Sequence, residues 1–444
     1  MKVKITFCLL LLFFSSAAIA QENLSLSEAI TTGLANNFDI QIEKKNIEVA
    51  TNNNNIGEAG FLPTLSLTLN QNNNITNNES PNPFAIQGDI ITRSINPIVS
   101  VNWTIFDGFR ARITRDRLRN LQGETEGNAA IVVQNTLQSI VQGYYKAVLE
   151  KERLHVFETS LNLSREKYAY VQLKKDLGSA VTADLLLEEG NYLTDSTNYV
   201  NQVLAYRGAL RTLNNLLGID DVNTEYNFTD KLSFKDKSYT IEDLFQKMSS
   251  NNANLKKQYL SQKILQNATD LARASLYPTV SVGLNYSNNI NSSDFSRTTL
   301  DGAPQIPILG STVNTSANFT ITYNLFNGGR IKRAIQNAVI QEEIGKVRID
   351  KLKLELHRDL EAALDLYNIR MQLRGIAIRN KKAADLNLQV SQERFKNGTI
   401  NSFDYRTIQN RFLTSSLNEL QAIYNLIDAN VQLMRLTGGI VEEY

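Results

Sequence analysis

Cysteine is almost missing from this 444-residue chain, and the one copy, Cys8, falls in a stretch that reads as an address. Lys2 and Lys4 give residues 1–20 a basic start, Phe7 to Phe14 supply an apolar core, and "AIA" ends as a small-residue cleavage site before Gln21, the pattern of a signal peptide. A lipid-anchored protein would need its cysteine directly after the cut, and Cys8 is not there. Once the leader is removed no cysteine remains, which excludes disulfides and thiol chemistry and suits an exported protein. Histidine is nearly as scarce. His155 and His357 lack clustered Cys or acidic residues at metal-ligand spacing, so no metal or other cofactor is expected. Charge of one sign is not in excess: without Lys2 and Lys4 there are 44 basic against 45 acidic side chains, a poor profile for a nucleic-acid partner. After Gln21 no apolar run reaches the roughly 18 residues of a membrane helix, so entry into a bilayer would have to use strands. No GxGxxG, Walker pattern or catalytic constellation is present, and an enzyme is not expected.

Proline is confined as well. The seven prolines, Pro63, Pro81, Pro83, Pro97, Pro278, Pro304 and Pro307, all lie in two windows, 62–106 and 277–326. Proline inside a helix costs about 3 kcal/mol. The proline-free tracts, rich in Leu, Gln, Glu, Lys and Ala, therefore read as long helices. Heptads agree. Leu413, Leu417, Leu420, Tyr424, Ile427, Val431 and Met434 step alternately by four and three, as do Tyr192, Ser196, Tyr199, Val203, Tyr206, Leu210, Leu213 and Leu217. Leu154, Phe157, Leu161, Ser164, Tyr168 and Val171 mark a further seam. Such a period predicts helices packed side by side over length.

Each proline window holds two alternating segments. Leu65, Leu67 and Leu69 alternate with Ser66, Thr68 and Asn70, and Val99, Val101, Trp103 and Ile105 with Ser100, Asn102 and Thr104. Val280, Val282, Leu284 and Tyr286 alternate with Ser281, Gly283 and Asn285, and Phe319, Ile321, Tyr323 and Leu325 with Asn318, Thr320, Thr322 and Asn324. Period two over about ten residues is the pattern of a membrane-barrel strand, apolar toward lipid and polar toward a lumen. The Asn-, Ser-, Pro- and Gly-rich connections 71–94 and 287–313 read as long exposed loops.

The chain also repeats itself. "LPTLSLTLN" from Leu62 returns as "YPTVSVGLN" from Tyr277, an offset of 215, and "WTIFDGFR" from Trp103 as "YNLFNGGR" from Tyr323, an offset of 220. Gly178 and Asp184 return as Gly398 and Asp404, and Asn36-Asn37 as Asn251-Asn252. So long a period signals a duplicated half-protein, not a solenoid. The first repeat spans 21–218: a short helix, strands 62–74 and 96–106, a long helix 107–177, and a helix 182–217. A linker, 219–238, leads to the second repeat, 239–444: a helix, strands 278–288 and 315–326, a long helix 327–397, and a helix 402–437. The long helix would run roughly 105 Å and the tracts 27–60 and 182–217 roughly 50 Å each at 1.5 Å per residue.

Four strands cannot stand alone in lipid. Each unpaired backbone group in hydrocarbon costs several kcal/mol, and about eight strands are needed to surround even a filled interior. Several copies must share one barrel. Two, three and four copies all satisfy that argument.

In this duplicated order, the segments "LPTLSL"/"YPTVSV" and "IFDGFR"/"LFNGGR" and the turns "LGSAVTAD" and "NGTINSFD" resemble the TolC family of outer-membrane efflux proteins over essentially the whole mature chain. The resemblance implies a mixed fold. Four strands per chain would contribute to a trimeric twelve-stranded β-barrel, continued across the periplasm by a long α-helical barrel. It implies a passive exit duct of a tripartite efflux or type I secretion system, with a homotrimer in outer-membrane lipid. A periplasmic membrane-fusion adaptor would dock on its helical tip, and an inner-membrane transporter of RND, ABC or MFS type would drive it. Gly178, Asp184, Gly398 and Asp404 match the tip and adaptor-docking positions, and Asp404 the acidic ring of the constriction. Three constriction positions depart from the family pattern: Phe395 replaces a tyrosine, Ile400 an arginine and Thr407 a second aspartate. The polar bridge that holds the closed tip elsewhere in the family is thus missing, and any gate needs other contacts.

Plainer readings stand beside these. Gly178 and Gly398 suit helix C-caps in the left-handed conformation, and Asp184 and Asp404 suit N-caps just past a turn. Phe61, Phe106, Tyr277 and Phe326, at one end of the four strands, fit either an aromatic girdle at the membrane interface or packing between strand and helix. The competing function is a surface-displayed trimeric coiled-coil fibre or adhesin with a small β anchor. Such fibres place their strands at one terminus, whereas here they sit inside each repeat.

Overall fold

The structure is a computed structural model that describes residues 22–82, 88–295 and 306–443; the signal peptide expected at 1–20 lies outside them. In chain order the elements are β1 (Glu22–Leu24), α1 (Leu26–Asn36), α2 (Phe38–Asn53), β2 (Thr64–Asn78), β3 (Gly88–Phe106), α3 (Arg110–Asp176) and α4 (Thr182–Leu217). There follow β4 (Tyr226–Phe228), α5 (Ile241–Asn251), α6 (Ala253–Ala274), β5 (Thr279–Phe295), β6 (Ile308–Thr322), α7 (Arg330–Lys396), α8 (Ser402–Thr437) and α9 (Ile440–Glu443). The duplication is visible in the lengths: α3 and α7 each have 67 residues, α4 and α8 each 36. Among the described residues no helix is long and apolar enough to cross a membrane.

Two compact units divide the chain. One takes the residues up to Lys44 with Ala129–Ala253 and Leu354–Tyr444; the other takes Lys45–Asn128 and Asn254–Lys353. The second unit holds a four-stranded antiparallel sheet in the order β2-β3-β5-β6. Its hydrogen-bonded ladders run far past the alternating segments. β2 and β3 pair from Thr64↔Asn102 out to Asn78↔Gly88, and β5 and β6 from Thr279↔Thr322 to Ser293↔Ile308. Much of 71–94 and 287–313 is therefore strand, not loop. Asn is a poor strand former by itself, but in a ladder its backbone is paired and its side chain needs only water. The alternation stops where apolar contact stops, not where the hydrogen bonds do.

The first unit holds the main core. Tyr144, Leu137, Ile140, Leu149, Leu213, Leu217, Leu360, Leu426 and Leu433 are fully buried in it. The segment expected as linker 219–238 carries β4, which pairs in parallel with β1. Asp230 accepts from the Leu26 amide at 2.8 Å and from the Tyr144 hydroxyl at 2.8 Å.

The tract 27–60, expected as one helix, is broken at Asn37, and its copy is broken at Asn252. Asn37 closes α1 through its own N–H on the Gly33 carbonyl, and its Oδ1 accepts from the amides of Asp39 and Ile40 to open α2. Its Nδ2 donates to the Leu216 carbonyl at 3.1 Å, and Asn252 repeats this on Leu436 at 2.9 Å. Gly218 and Gly438, both left-handed, end α4 and α8 at the same joints. A Cβ on either would come within 2.7 Å of the Asn36 or Asn251 carbonyl oxygen, so only glycine admits the approach.

Candidate functional site

The two turns between paired helices, α3–α4 and α7–α8, are built alike. Gly178 (φ 74°) and Gly398 (φ 72°) are left-handed. Ser179 N–H bonds the Lys174 carbonyl at 2.7 Å and Thr399 N–H the Arg394 carbonyl at 2.8 Å, the six-to-one closure of a Schellman end. A Cβ on either glycine would meet nothing within 4 Å. The glycines are thus kept by conformation and not by crowding, and they leave bare backbone at the surface.

Asp184 and Asp404 are exposed first-turn residues and not the N-caps that the spacing suggested. Val181 and Asn401 occupy the capping positions, and Asn401 Oδ1 accepts from the Asp404 amide at 2.8 Å. That turn-opening residue comes three positions earlier than a reading centred on the acids allowed. Both carboxylates lie in the first turn and add negative charge at the helix N-termini, where the dipole favours it. Thr407 is exposed and donates back to the Phe403 carbonyl at 3.0 Å; Ile400 is half-buried.

Behind the turns lies a polar cluster. On α4 the residues Glu188, Asp195 and Gln202, seven apart, form a buried row. Each has one partner from another helix or stretch. Lys167 Nζ on α3 sits 2.9 Å from Glu188 and donates to the Ser402 carbonyl at 2.9 Å. Arg406 on α8 grips Asp195 with two nitrogens, at 2.6 and 2.8 Å. Gln202 donates to the Glu150 carboxylate at 2.6 Å. Phe395 stacks on Tyr405 at 4.9 Å, and the Lys167 ammonium lies 5.3 and 5.4 Å from their ring centres. Burial pushes the Lys167 ammonium below the usual lysine range, with Glu188 acting against that. The same burial raises the Tyr405 phenol. Phe395 is thus the wall of a cation box.

Sequence reasoning missed this cluster because buried Glu, Asp and Gln look like a solvated helix face. The heptad spacing of Glu188, Asp195 and Gln202 was the available signal. The offset of 220 maps Lys167, Glu188 and Asp195 onto Asn387, Ile408 and Ser415, and Arg406 onto Leu186. The charged pairs therefore have no copy, and the two repeats are chemically unlike here.

At the sheet, the structure joins Phe106 and Tyr277 through a residue not singled out by sequence, Phe109, with ring centres 5.3 and 6.0 Å apart. Trp103 Nε1 donates to the Phe61 carbonyl at 3.0 Å. Phe326 is 90% exposed and unpacked. Leu65, Leu67, Leu69, Phe319 and Ile321 present large apolar groups to the outside. Among the described residues, no three His, Cys, Asp or Glu side chains gather as a metal site requires.

The sequence model of the family described as outer membrane efflux protein matches residues 29–219 and 244–439. No curated protein matches the chain by sequence. Several solved structures share its fold. A membrane protein from Pseudomonas aeruginosa is 16% identical with a TM-score of 0.73, over 94% of this chain and 91% of that one. The CmeC outer membrane channel of Campylobacter jejuni is 16% identical with a TM-score of 0.73, over 93% and 85%. The open state of the MtrE outer membrane channel of Neisseria gonorrhoeae is 15% identical with a TM-score of 0.69, over 94% and 89%.

Proposed function

Because the chain belongs to the outer membrane efflux protein family, we propose that three copies form one passive exit duct of a tripartite export system. Their sheets would close as a barrel in the outer membrane, and their helices would extend into the periplasm. One observation carries this reading: a sheet whose apolar face is exposed and whose edge strands, β2 and β6, have no second neighbour among the described residues. In lipid such edges must pair, and β2 of one copy against β6 of the next satisfies both at once. Family membership sets the competing fibre reading aside.

The α3–α4 and α7–α8 turns are the proposed contact for a periplasmic adaptor. Bare backbone at Gly178 and Gly398 and the exposed Asp184 and Asp404 support that role. An inner-membrane transporter of RND, ABC or MFS type supplies the energy. Asp404 and Thr407, with Ile400 and Phe395 beside them, are the proposed constriction. In this chain the pairs Lys167–Glu188 and Arg406–Asp195 provide the polar ties there. Phe61, Phe106, Tyr277 and Phe326 mark the proposed aromatic girdle at the outer-membrane interface.

The test is extraction from the outer-membrane fraction followed by reconstitution in planar bilayers. A heat-modifiable trimer with stable conductance steps is expected, and Asp404→Asn is expected to lower its cation preference, since carboxylate rings favour cations. A soluble monomer without conductance would refute the duct; unchanged selectivity would remove Asp404 from the constriction.

A further inference from the structure

The strand register sorts charge more sharply than hydropathy alone requires. Residues directly opposite each other across a ladder share a face of the sheet. One row runs Ser66↔Ser100↔Asn285↔Ser316 across all four strands, and the next row, on the other face, runs Leu65↔Val101↔Leu284↔Ala317. Followed along its length, the first face carries only Ser, Thr, Asn and Gly, apart from Ile90, Ile98, Phe295 and Ile308. The charged residues within the four strands are Asp89, Arg93 and Asp294. All of them lie on the opposite, apolar face, opposite Asn77, Asn73 and Ile91. They come past Ile95, toward the end of the strands away from Phe61 and Tyr277. Not one formal charge of these strands is on the polar face.

We propose that the barrel stretch of the duct is a charge-blind sleeve, passing cations and anions alike and holding neither. The proposal rests on the reading of this sheet as a pore wall with its polar face to water. Rings of carboxylates or of Arg and Lys are what give a pore its ion preference. Hydroxyl and carboxamide groups each offer both donors and acceptors and carry no formal charge, so ions of both signs find partners. The polar face also has no aromatic ring except Phe295 at its far end, so flat solutes have little to stack on. Discrimination by charge is then left to the helical residues, and the sleeve only lets go.

The mature chain has no cysteine, so a single thiol can report the local field. Asn285→Cys and, separately, Ser100→Cys channels in planar bilayers are exposed to methanethiosulfonates of opposite sign, one trimethylammonium and one sulfonate. The expected ratio of the two modification rates stays within about twofold of the ratio for free mercaptoethanol. Adding Ser316→Asp beside Asn285→Cys is expected to raise that ratio several-fold in favour of the cation, which shows that the thiol senses charge. Leu284→Cys is expected not to alter the current with either reagent. A bias of about tenfold or more without the added Asp overturns the sleeve while the duct stands. Current loss through Leu284→Cys with silence at Asn285→Cys reverses the faces and also overturns it. A wild-type protein that forms no channel at all overturns the duct reading, and the sleeve with it.

Discussion

Arg406 on α8 holds Asp195 on α4 through two parallel contacts, at 2.6 and 2.8 Å, with Asp195 only 2% exposed. Removing one partner of a buried pair leaves an uncompensated charge at about 3–5 kcal/mol, whereas replacing both by apolar groups can be close to neutral. Arg406→Leu is therefore expected to lower the midpoint of helix unfolding followed by circular dichroism. Asp195→Leu should lower it less, since Arg406 keeps some access to water. The double variant should recover most of the loss. A double variant as weak as the sum of the singles would show that the pair is not the source.

The joints at Asn37 and Asn252 make a similar claim for neutral groups. Each donates to a helix-end carbonyl, and Asn37 in addition caps α2. Asn37→Ala is expected to cost about 1–3 kcal/mol, the penalty for leaving buried acceptors and amides without partners. Amide hydrogen exchange at Asp39 and Ile40 should speed up more than at Leu213. Equal protection before and after substitution would contradict the capping role.

Gly178→Ala and Gly398→Ala test conformation without crowding. An added methyl meets no neighbour, so the cost is that of forcing alanine into a left-handed turn, about 1 kcal/mol. Near-wild-type trimer yield with weakened adaptor capture is the expected outcome. A large loss of assembled trimer would place these glycines in the fold and not in docking.

Leu67→Arg and Val282→Arg probe the apolar face of the sheet. A cation at the bilayer midplane costs about 2–4 kcal/mol on the lipid side of a barrel, so both variants should assemble poorly in membranes. Asn285→Arg, three positions on from Val282 and on the other face, should assemble well. Normal yield from all three would remove the facing assignment.

Acid should loosen the first unit through Glu150. Burial raises this carboxyl, but Lys146, Gln202 and Arg153 outweigh it and hold its pKa below the ordinary glutamate value. A depressed folded pKa gives stability that is full above the unfolded pKa and is lost as pH falls through the folded one. Glu150→Gln is expected to be less stable than wild type at neutral pH, and the gap should close on acidification. A gap that widens toward acid would reverse the sign and the assignment.

The residues by themselves determined a great deal here. Proline placement, period-two alternation and heptads mark the strands and helices because these signals arise from local backbone geometry and from which side must be apolar. The return of Gly178 and Asp184 as Gly398 and Asp404 is likewise local. Tertiary structure decided what depends on partners distant in sequence. Asn72 and Asn74 are strand only because β3 lies alongside. Asn37 breaks a helix only because Leu216 offers a carbonyl. Glu188 and Asp195 are buried only because Lys167 and Arg406 arrive from other helices to neutralise them. A side chain's own chemistry sets what it needs, but only the folded chain brings the group that meets the need.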